Sequence, residues 1–173
     1  MFYRYAMSTT THRLFRHMSW ANQMVYQAVQ KLPDEALGAF IINPEWTAGR
    51  ILQHIVDGAE WYRYCLTGER WSKVDLPKSI SDIPEIATTL AKLDAEVASQ
   101  VDLPDVPLTI TEGSDSWQNL RSTILAEAIH HATEHRAQLL DALESKGFIP
   151  ITLDEIDLWC FEKHERFERG QKN

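Results

Sequence analysis

The sequence has few of the residues that cross-link or sharply turn a chain. Its 173 residues include only two cysteines, Cys65 and Cys160, which excludes a disulfide-stapled scaffold. We expect both to be ordinary buried thiols in a reducing compartment. Seven glycines and seven prolines are few for a β-sandwich or β-barrel, because those folds need many tight turns. The chain is nevertheless long enough to bury one substantial core without covalent staples.

Long apolar runs and basic clusters are also missing. No stretch approaches the roughly 18 apolar residues that cross a bilayer, and the opening residues, MFYRYAMSTTTH, lack the apolar segment of a signal peptide. We therefore expect a cytoplasmic protein without a membrane partner. Lys and Arg number 17 against 25 Asp and Glu, giving a formal net charge of -8. Nucleic acid is not the expected partner, because binding phosphates requires a concentrated basic surface.

The sequence does have helical periodicity along nearly its whole length. Apolar residues recur every three or four positions across residues 12–32, which predicts an amphipathic helix ended by Pro33. We predict residues 1–11 to be an N-terminal extension and residues 12–173 to form a single domain. The apolar stripe of this first helix consists of Leu14, Met18, Ala21, Val25, Ala28 and Leu32.

Two further helices have recognisable ends. A second helix is predicted to run from its N-cap at Thr47 to about Thr67, with Gly68 as its C-terminal stop. A third helix is predicted to begin at Asp82 as the capping residue, with Pro84 in its first turn. Glu85, three residues after Asp82, fits a capping box.

The second half of the chain contains one irregular stretch and two more helices. DLPDVPLTITEGSDSW, residues 102–117, is too rich in turn residues for a helix and is predicted to hold a short extended piece. A long helix is predicted from Trp117 to Lys146, stopped by Gly147. TLDE, residues 152–155, is a capping-box pattern that predicts a C-terminal helix. These elements together predict an all-α fold, a four-helix bundle with an additional C-terminal helix.

Three histidines lie close together in the fourth predicted helix, in AEAIHHATEHRAQ. His131 and His135 are four residues apart and share one helical face, so their imidazoles can chelate one ion. His130 points about 100° away and is not expected to take part. The stripe that carries the pair is typical of a core-facing surface and consists of Ile124, Ala128, His131, His135, Gln138 and Ala142.

A metal ion would need a third protein ligand. His54 lies in the second predicted helix, one residue before the predicted core position Ile55. Bundles build internal metal sites from side chains on facing helices, and three histidines with an open fourth position are typical of catalytic zinc. Two simpler interpretations stay open: the pair on the fourth helix is solvated, and His54 bonds a carbonyl. The other histidines are expected at the surface or behind the site: His12, His17 and His164.

Further side chains could complete such a site. Asp57 follows His54 by three residues and Glu127 precedes His131 by four, so either carboxylate could orient a ligand through its free ring nitrogen. A role as surface charges is the simpler interpretation of both. Most tryptophans are expected in the core, where four of them could line a pocket: Trp20, Trp46, Trp61 and Trp117.

Three stretches, in this order and at these distances, closely resemble the DinB-like superfamily, which includes the YfiT-type metal-dependent hydrolases. The stretches are FRHMSWANQMVYQAVQKLPDE, TAGRILQHIVDGAEWY and ILAEAIHHATEHRAQLLDALESKGF. The resemblance covers about residues 12–165, and its most specific part, HATEHRAQ, matches the family element H-x-x-x-H-R-x-Q.

The resemblance implies an up-down-down-up four-helix bundle, often dimeric, with a divalent metal ion held by three histidines. Matched residue by residue, these ligands are His54, His131 and His135, the same three that the spacing suggested. Arg136 and Gln138 also match family positions. We hypothesise that Arg136 anchors its helix through a carboxylate and that Gln138 lines the pocket.

The resemblance implies the reaction only in outline. Relatives with assigned activities transfer low-molecular-weight thiols such as bacillithiol, mycothiol or glutathione, or use one in an isomerisation, and others are described as hydrolases. The leading hypothesis is therefore a homodimeric metal-dependent hydrolase or thiol S-transferase. It would use zinc or nickel, a small-molecule substrate and, for the transferase, a thiol cosubstrate. The alternatives are a non-catalytic stress-response protein whose metal is structural or sensory, and a bundle whose site has decayed.

Overall fold

The computed structural model describes residues 2–70 and 72–170. The described chain contains five α-helices and one hairpin, namely α1 Phe2–Val29, α2 Ala48–Thr67, α3 Ile83–Ala98, β1 Pro107–Glu112, β2 Asp115–Leu120, α4 Arg121–Glu144 and α5 Leu158–Glu168. The predicted four-helix bundle with an additional C-terminal helix is confirmed. β1 is the short extended piece expected within residues 102–117, and β2 continues past that range to Leu120. Among the described helices, none combines the length and apolar character needed to cross a bilayer.

Polar contacts between α1 and α3 establish that these helices run antiparallel. Gln23 donates a hydrogen bond to the carbonyl of Ala87 at 3.0 Å, near the start of α3. One residue earlier in α1, Asn22 donates to the carboxylate of Asp94 at 2.9 Å, two turns further along α3. The numbering therefore falls along α1 as it rises along α3.

The remaining directions follow from contacts of α2. Trp46, just before α2, donates from its indole Nε1 to Gln138 near the C-terminal end of α4, at 3.2 Å, so α2 and α4 run antiparallel. The guanidinium of Arg63 and the carboxylate of Glu96 lie 3.7 Å apart and join the C-terminal ends of α2 and α3, which therefore run parallel. This is the up-down-down-up order that the resemblance implied.

A continuous apolar core fixes the register of the helices. The hydroxyl of Tyr26, fully buried in α1, donates to the carbonyl of Leu52 in α2 at 2.6 Å. Burying a large apolar side chain contributes about 1.5–3 kcal/mol, and every long helix of the bundle contributes several such residues. The most deeply buried include Val25, Ile51, Ile55, Leu90, Leu139 and Leu143. Because Ile55 and Leu139 are locked in this core, the neighbouring positions of α2 and α4 are held in fixed places.

Two predicted helix starts were wrong. α1 begins at Phe2, so the helix continues back through the residues assigned to the N-terminal extension. The start was misplaced because an apolar stripe marks only the part of a helix that packs on a core. The predicted domain boundary at residue 12 is a separate matter and stays a prediction. α4 begins at Arg121, because Trp117 pairs with Ile110 across the hairpin. Gly113, the first of its two loop residues, has a φ of 61°, which suits a tight hairpin turn.

Two predicted capping residues act one element earlier than expected. Asp82 accepts a hydrogen bond from the backbone N–H of Ser79 at 3.0 Å, and this closes the turn that precedes α3. Thr152 forms the predicted capping box, but on the single turn Leu153–Glu155. α5 begins later, with the side chain of Asp157 as its N-cap. The Thr152–Glu155 pattern was correct as local chemistry, because a capping box stabilises a short 3₁₀ turn as well as an α-helix. The predicted box of Asp82 with Glu85 was wrong, since the side chain of Asp82 makes no capping bond to α3 and forms a box with Ser79.

Candidate metal centre

The three predicted histidine ligands meet between α2 and α4. The side chain of Thr47 accepts a hydrogen bond from the backbone N–H of Arg50 at 3.2 Å, and this cap starts α2 as predicted. Two turns later, His54 projects from the edge of the buried face of α2. His131 and His135 project towards it from the antiparallel α4, and all three side chains are half-buried.

The geometry of the three rings suits one small ion. Their centroids lie 4.8 Å apart for His54 and His131, 4.4 Å for His54 and His135, and 4.3 Å for His131 and His135. The Nε2 atoms of His54 and His131 are 3.1 Å apart, and one potential ligand atom from each residue lies within 4.8 Å of the others. Tetrahedral Zn–N bonds of about 2.0–2.1 Å place two nitrogens roughly 3.3 Å apart, so the arrangement fits a divalent ion.

A hydrogen-bond chain determines which nitrogen His135 can offer. Trp46 Nε1 donates to Gln138 Oε1 at 3.2 Å, and an indole N–H can only donate, so this amide atom is the acceptor. His135 Nδ1 lies 2.8 Å from the same oxygen and must therefore donate to it. The proton is then on Nδ1, and the Nε2 lone pair of His135 is available to a metal ion. Gln138, predicted to line the pocket, thus orients a ligand.

Burial keeps the histidines in the neutral form that binds metal. Desolvation, together with the nearby imidazoles of His135 and His54, lowers the pKa of His131 to about 3. The pKa of His54 is also lowered, mainly by burial and then by His135. Neutral imidazole is the ligand form, so two of the three rings need not lose a proton to bind an ion near pH 7.

Gly58 and Tyr62, one and two turns after His54 in α2, pack against His131. A Cβ atom built on Gly58 would lie 2.3 Å from Cε1 of His131, so only glycine leaves room for this ring. The ring of Tyr62 meets that of His131 edge-on, with centroids 5.5 Å apart. The role of Gly58 was missed, although a glycine inside a helix costs about 1 kcal/mol and therefore signals a packing requirement.

Arg136, the residue after His135 on α4, enters a buried polar network instead of the histidine cluster. Its Nη1 donates to Asn22 Oδ1 at 2.6 Å, and Asn22 Nδ2 donates to Asp94 at 2.9 Å. Burial raises the pKa of Asp94 to about 6 and lowers that of Arg136 to about 10. Arg136 therefore anchors α4 to a carboxylate, as hypothesised, but through the amide of Asn22.

The two predicted orienting carboxylates do not contact the ligands. Asp57 accepts a hydrogen bond from the backbone N–H of Val74 at 3.3 Å, and Glu127 is exposed. Within the described residues, neither bonds a ring nitrogen of the three histidines. The side chain that does so is the amide of Gln138, at the third position after His135.

The other histidines lie away from the cluster. His12 bonds Asp102, His17 bonds the carbonyl of Ile156 and His164 pairs with Glu168. His130 is exposed and does not join the cluster.

The four tryptophans predicted to line a pocket are divided among three places. Trp46 contacts the rings of His54 and His135, with centroids 5.0 and 5.8 Å away. Trp61 and Trp117 line a separate cleft beside the hairpin. Trp20 packs instead on α5, against Phe161. Trp46 is therefore the tryptophan that belongs to the histidine site itself.

Comparison with known proteins gives one match that covers most of the chain. The model of the DinB family matches residues 7–166. A search of the curated proteins found no match. The matched range contains every residue of the histidine cluster and of the buried Arg136 network.

Proposed function

Because the chain belongs to the DinB family, we propose that it is a metal-dependent enzyme whose divalent ion is held by His54, His131 and His135. The observation that carries the proposal is the convergence of three imidazoles without a fourth protein donor. Among the described residues, no Asp, Glu or Cys joins the three as a close potential ligand. Three protein ligands and an open position are typical of catalytic rather than structural zinc sites.

The side chains around the cluster support this proposal by holding the ligands ready. Gln138 fixes the proton of His135 on Nδ1, Gly58 leaves room for the ring of His131, and Trp46 covers one side of His54. When bound, a divalent ion supplies Lewis-acid activation of a water or a thiol at the open position. Zinc and nickel are the ions we propose, since both suit imidazole ligands.

We propose that the nucleophile comes from outside the chain, as water in a hydrolysis or as a low-molecular-weight thiol in an S-transfer. The thiol of Cys65 is buried, and burial raises its pKa to about 11, so it is not a thiolate near neutral pH. Burial likewise raises the pKa of Cys160. The electrophile would be a small molecule that reaches the half-buried histidines.

We further expect the protein to act as a homodimer in the cytoplasm, as the family resemblance and the sequence predict. Cys65 and Cys160 are both free thiols, which suits a reducing compartment. Light scattering coupled to size exclusion would test the dimer, with a mass near 40 kDa expected from a chain of 19.9 kDa. A mass near that of one chain would contradict it.

The test of the metal proposal is elemental analysis of untagged protein beside three variants. We expect about one equivalent of metal per chain in the wild type and its loss in His131→Ala and His135→Ala, because two imidazoles hold a divalent ion poorly. His130→Ala is the matched control, since this exposed histidine of the same helix points away from the cluster. Wild-type protein that neither contains metal nor takes up added zinc or nickel would overturn the proposal.

Loaded protein would then be assayed for hydrolysis and for thiol transfer. Turnover that requires His131 and His135 is the expected result. Metal bound in one equivalent without turnover in either screen would favour the alternative, in which the ion is structural or sensory.

A further inference from the structure

A cleft of about 340 Å³ lies beside the hairpin, between α2 and α4. This volume is within the range of small-molecule sites, about 300–1,000 Å³. The cleft is lined by Trp61, Tyr62, Cys65, Ile110, Trp117, Asn119, Thr123, Ile124 and Glu127. α2, α4 and both strands of the hairpin therefore contribute to its wall.

The cleft adjoins the three histidines through Tyr62 of α2. Tyr62 lines the cleft and also meets the ring of His131, 5.5 Å away between centroids. Glu127 precedes His131 by four residues on α4, a rise of about 6 Å along the helix axis. A molecule held at Glu127 therefore needs to extend only about one helical turn to present another group to the histidines.

Two tryptophans in contact form one aromatic wall of the cleft. The rings of Trp61 on α2 and Trp117 on β2 have centroids 6.3 Å apart and planes tilted by 34°. The hydroxyl of Tyr64 donates to the carbonyl of Thr111, and this bond ties the hairpin to α2. The hairpin is thus held where its tryptophan completes the cleft.

The charge at the cleft is negative. Glu127 is the one ionisable carboxylate among the lining residues, it is exposed, and no Lys or Arg lines the cleft. Within the described part of the chain, Glu127 makes no ion pair. Aromatic faces and an unpaired carboxylate are both complementary to a cation.

We propose that this cleft binds an organic cation, a molecule with an aromatic or apolar body and an ammonium group, against the wall of Trp61 and Trp117 and beside Glu127. The tryptophan rings contact the apolar body and the ammonium group of the ligand, and the carboxylate of Glu127 neutralises the positive charge of the ammonium. That the bound cation is also a substrate rests on the proposed function. Binding of the cation does not, because the cleft is built from residues outside the three histidines.

Calorimetric titration with three probes of similar size tests the charge preference: benzyltrimethylammonium, benzyl alcohol and benzoate. We expect the cation to bind most tightly and benzoate to bind most weakly. Glu127→Gln keeps the shape of the side chain and removes its charge, so it should weaken binding of the cation about fivefold. Glu144→Gln, an exposed carboxylate at the far end of the same helix, is the matched control and should leave binding unchanged.

Trp117→Leu and Trp117→Phe test the aromatic wall. Leucine should weaken binding of the cation about fivefold, whereas phenylalanine, which keeps a ring, should retain most of it. The titration is repeated on His131→Ala, where unchanged cation binding separates the cleft from the metal site. Benzoate bound as tightly as the cation, equal binding by Glu127→Gln and wild type, or no binding of any probe would each overturn the proposal.

Discussion

Two neighbouring residues of α4, His135 and Arg136, belong to polar clusters that differ in how their polar atoms are satisfied. Arg136 lies in a closed network in which Asn22 and Asp94 satisfy its charge inside the bundle. His135 lies in an open cluster whose remaining Nε2 atom points to no fourth protein donor among the described residues. The closed network satisfies its polar groups within the protein, whereas the open cluster leaves room for an ion from outside.

The two clusters are close enough to share a boundary. A small cavity of about 10 Å³, near the size that one water requires, is lined by Asn22 and Asp94 on one side and by His131 on the other. Although they adjoin, the two clusters use different side chains of α4, so each can be altered by its own substitution. Paired substitutions therefore distinguish a structural polar network from a binding site.

The largest effect is expected from Arg136→Ala. This change leaves the Asn22 carbonyl and the Asp94 carboxylate buried without their cation, which should lower the free energy of unfolding by about 3–5 kcal/mol. Urea unfolding of the metal-free protein measures it. His135→Ala in the same metal-free protein should cost less than about 1 kcal/mol, because the ring is half-buried and half-solvated. Equal losses in the two variants would remove the distinction between the clusters.

The next effect is a pH dependence that arises from Asp94. Its pKa is raised by burial to about 6, so between pH 4 and 6 the folded state binds more protons than the unfolded state. The contribution of Asp94 is therefore fully present at low pH and is lost as the pH rises through 6, by about 3 kcal/mol. Unfolding of wild type and Asp94→Asn across this range measures the difference. The wild type should lose stability relative to Asp94→Asn as the pH rises from 4 to 6, and a gain relative to that variant would contradict the assigned direction.

Gly58→Ala should disturb the open cluster while leaving the closed one intact. The new Cβ would lie 2.3 Å from the ring of His131, so the ring must move, at a cost of about 1–3 kcal/mol. Helix propensity alone would make the alanine variant more stable by about 1 kcal/mol. A loss of stability would therefore have to come from the steric conflict with His131. Thermal unfolding and zinc affinity should both decline. A more stable variant with unchanged zinc affinity would show that the glycine has no such role.

The smallest effect is expected from Gln138→Ala. Without the amide oxygen, the proton of His135 is no longer held on Nδ1, and metal affinity should fall about tenfold with little change in stability. Competition with a chromogenic chelator measures this affinity, and His130→Ala serves as the control on the same helix. An affinity within twofold of wild type would mean that His135 is oriented by packing alone.

The contrast between the clusters also explains what the sequence could predict. The histidine site is visible because two ligands follow a local rule, four residues apart on one helix, and the third occupies the edge of another apolar stripe. Asn22 and Asp94 obey no such rule, since they lie on different helices 72 residues apart and meet only through the fold. The start of α4 was misplaced for the same reason, because Trp117 is held in a strand by pairing with Ile110.

The central claim is that the open cluster alone takes up an ion, through named nitrogens. The most direct test is a zinc titration of ¹⁵N-labelled, metal-free protein, observed at the side-chain nitrogens of all seven histidines. We predict that His54, His131 and His135 shift together at one equivalent, with coordination of His135 through Nε2, while His12, His17, His130 and His164 do not change. An absence of shifts, or coordination that involves other histidines in place of these three, would contradict the account.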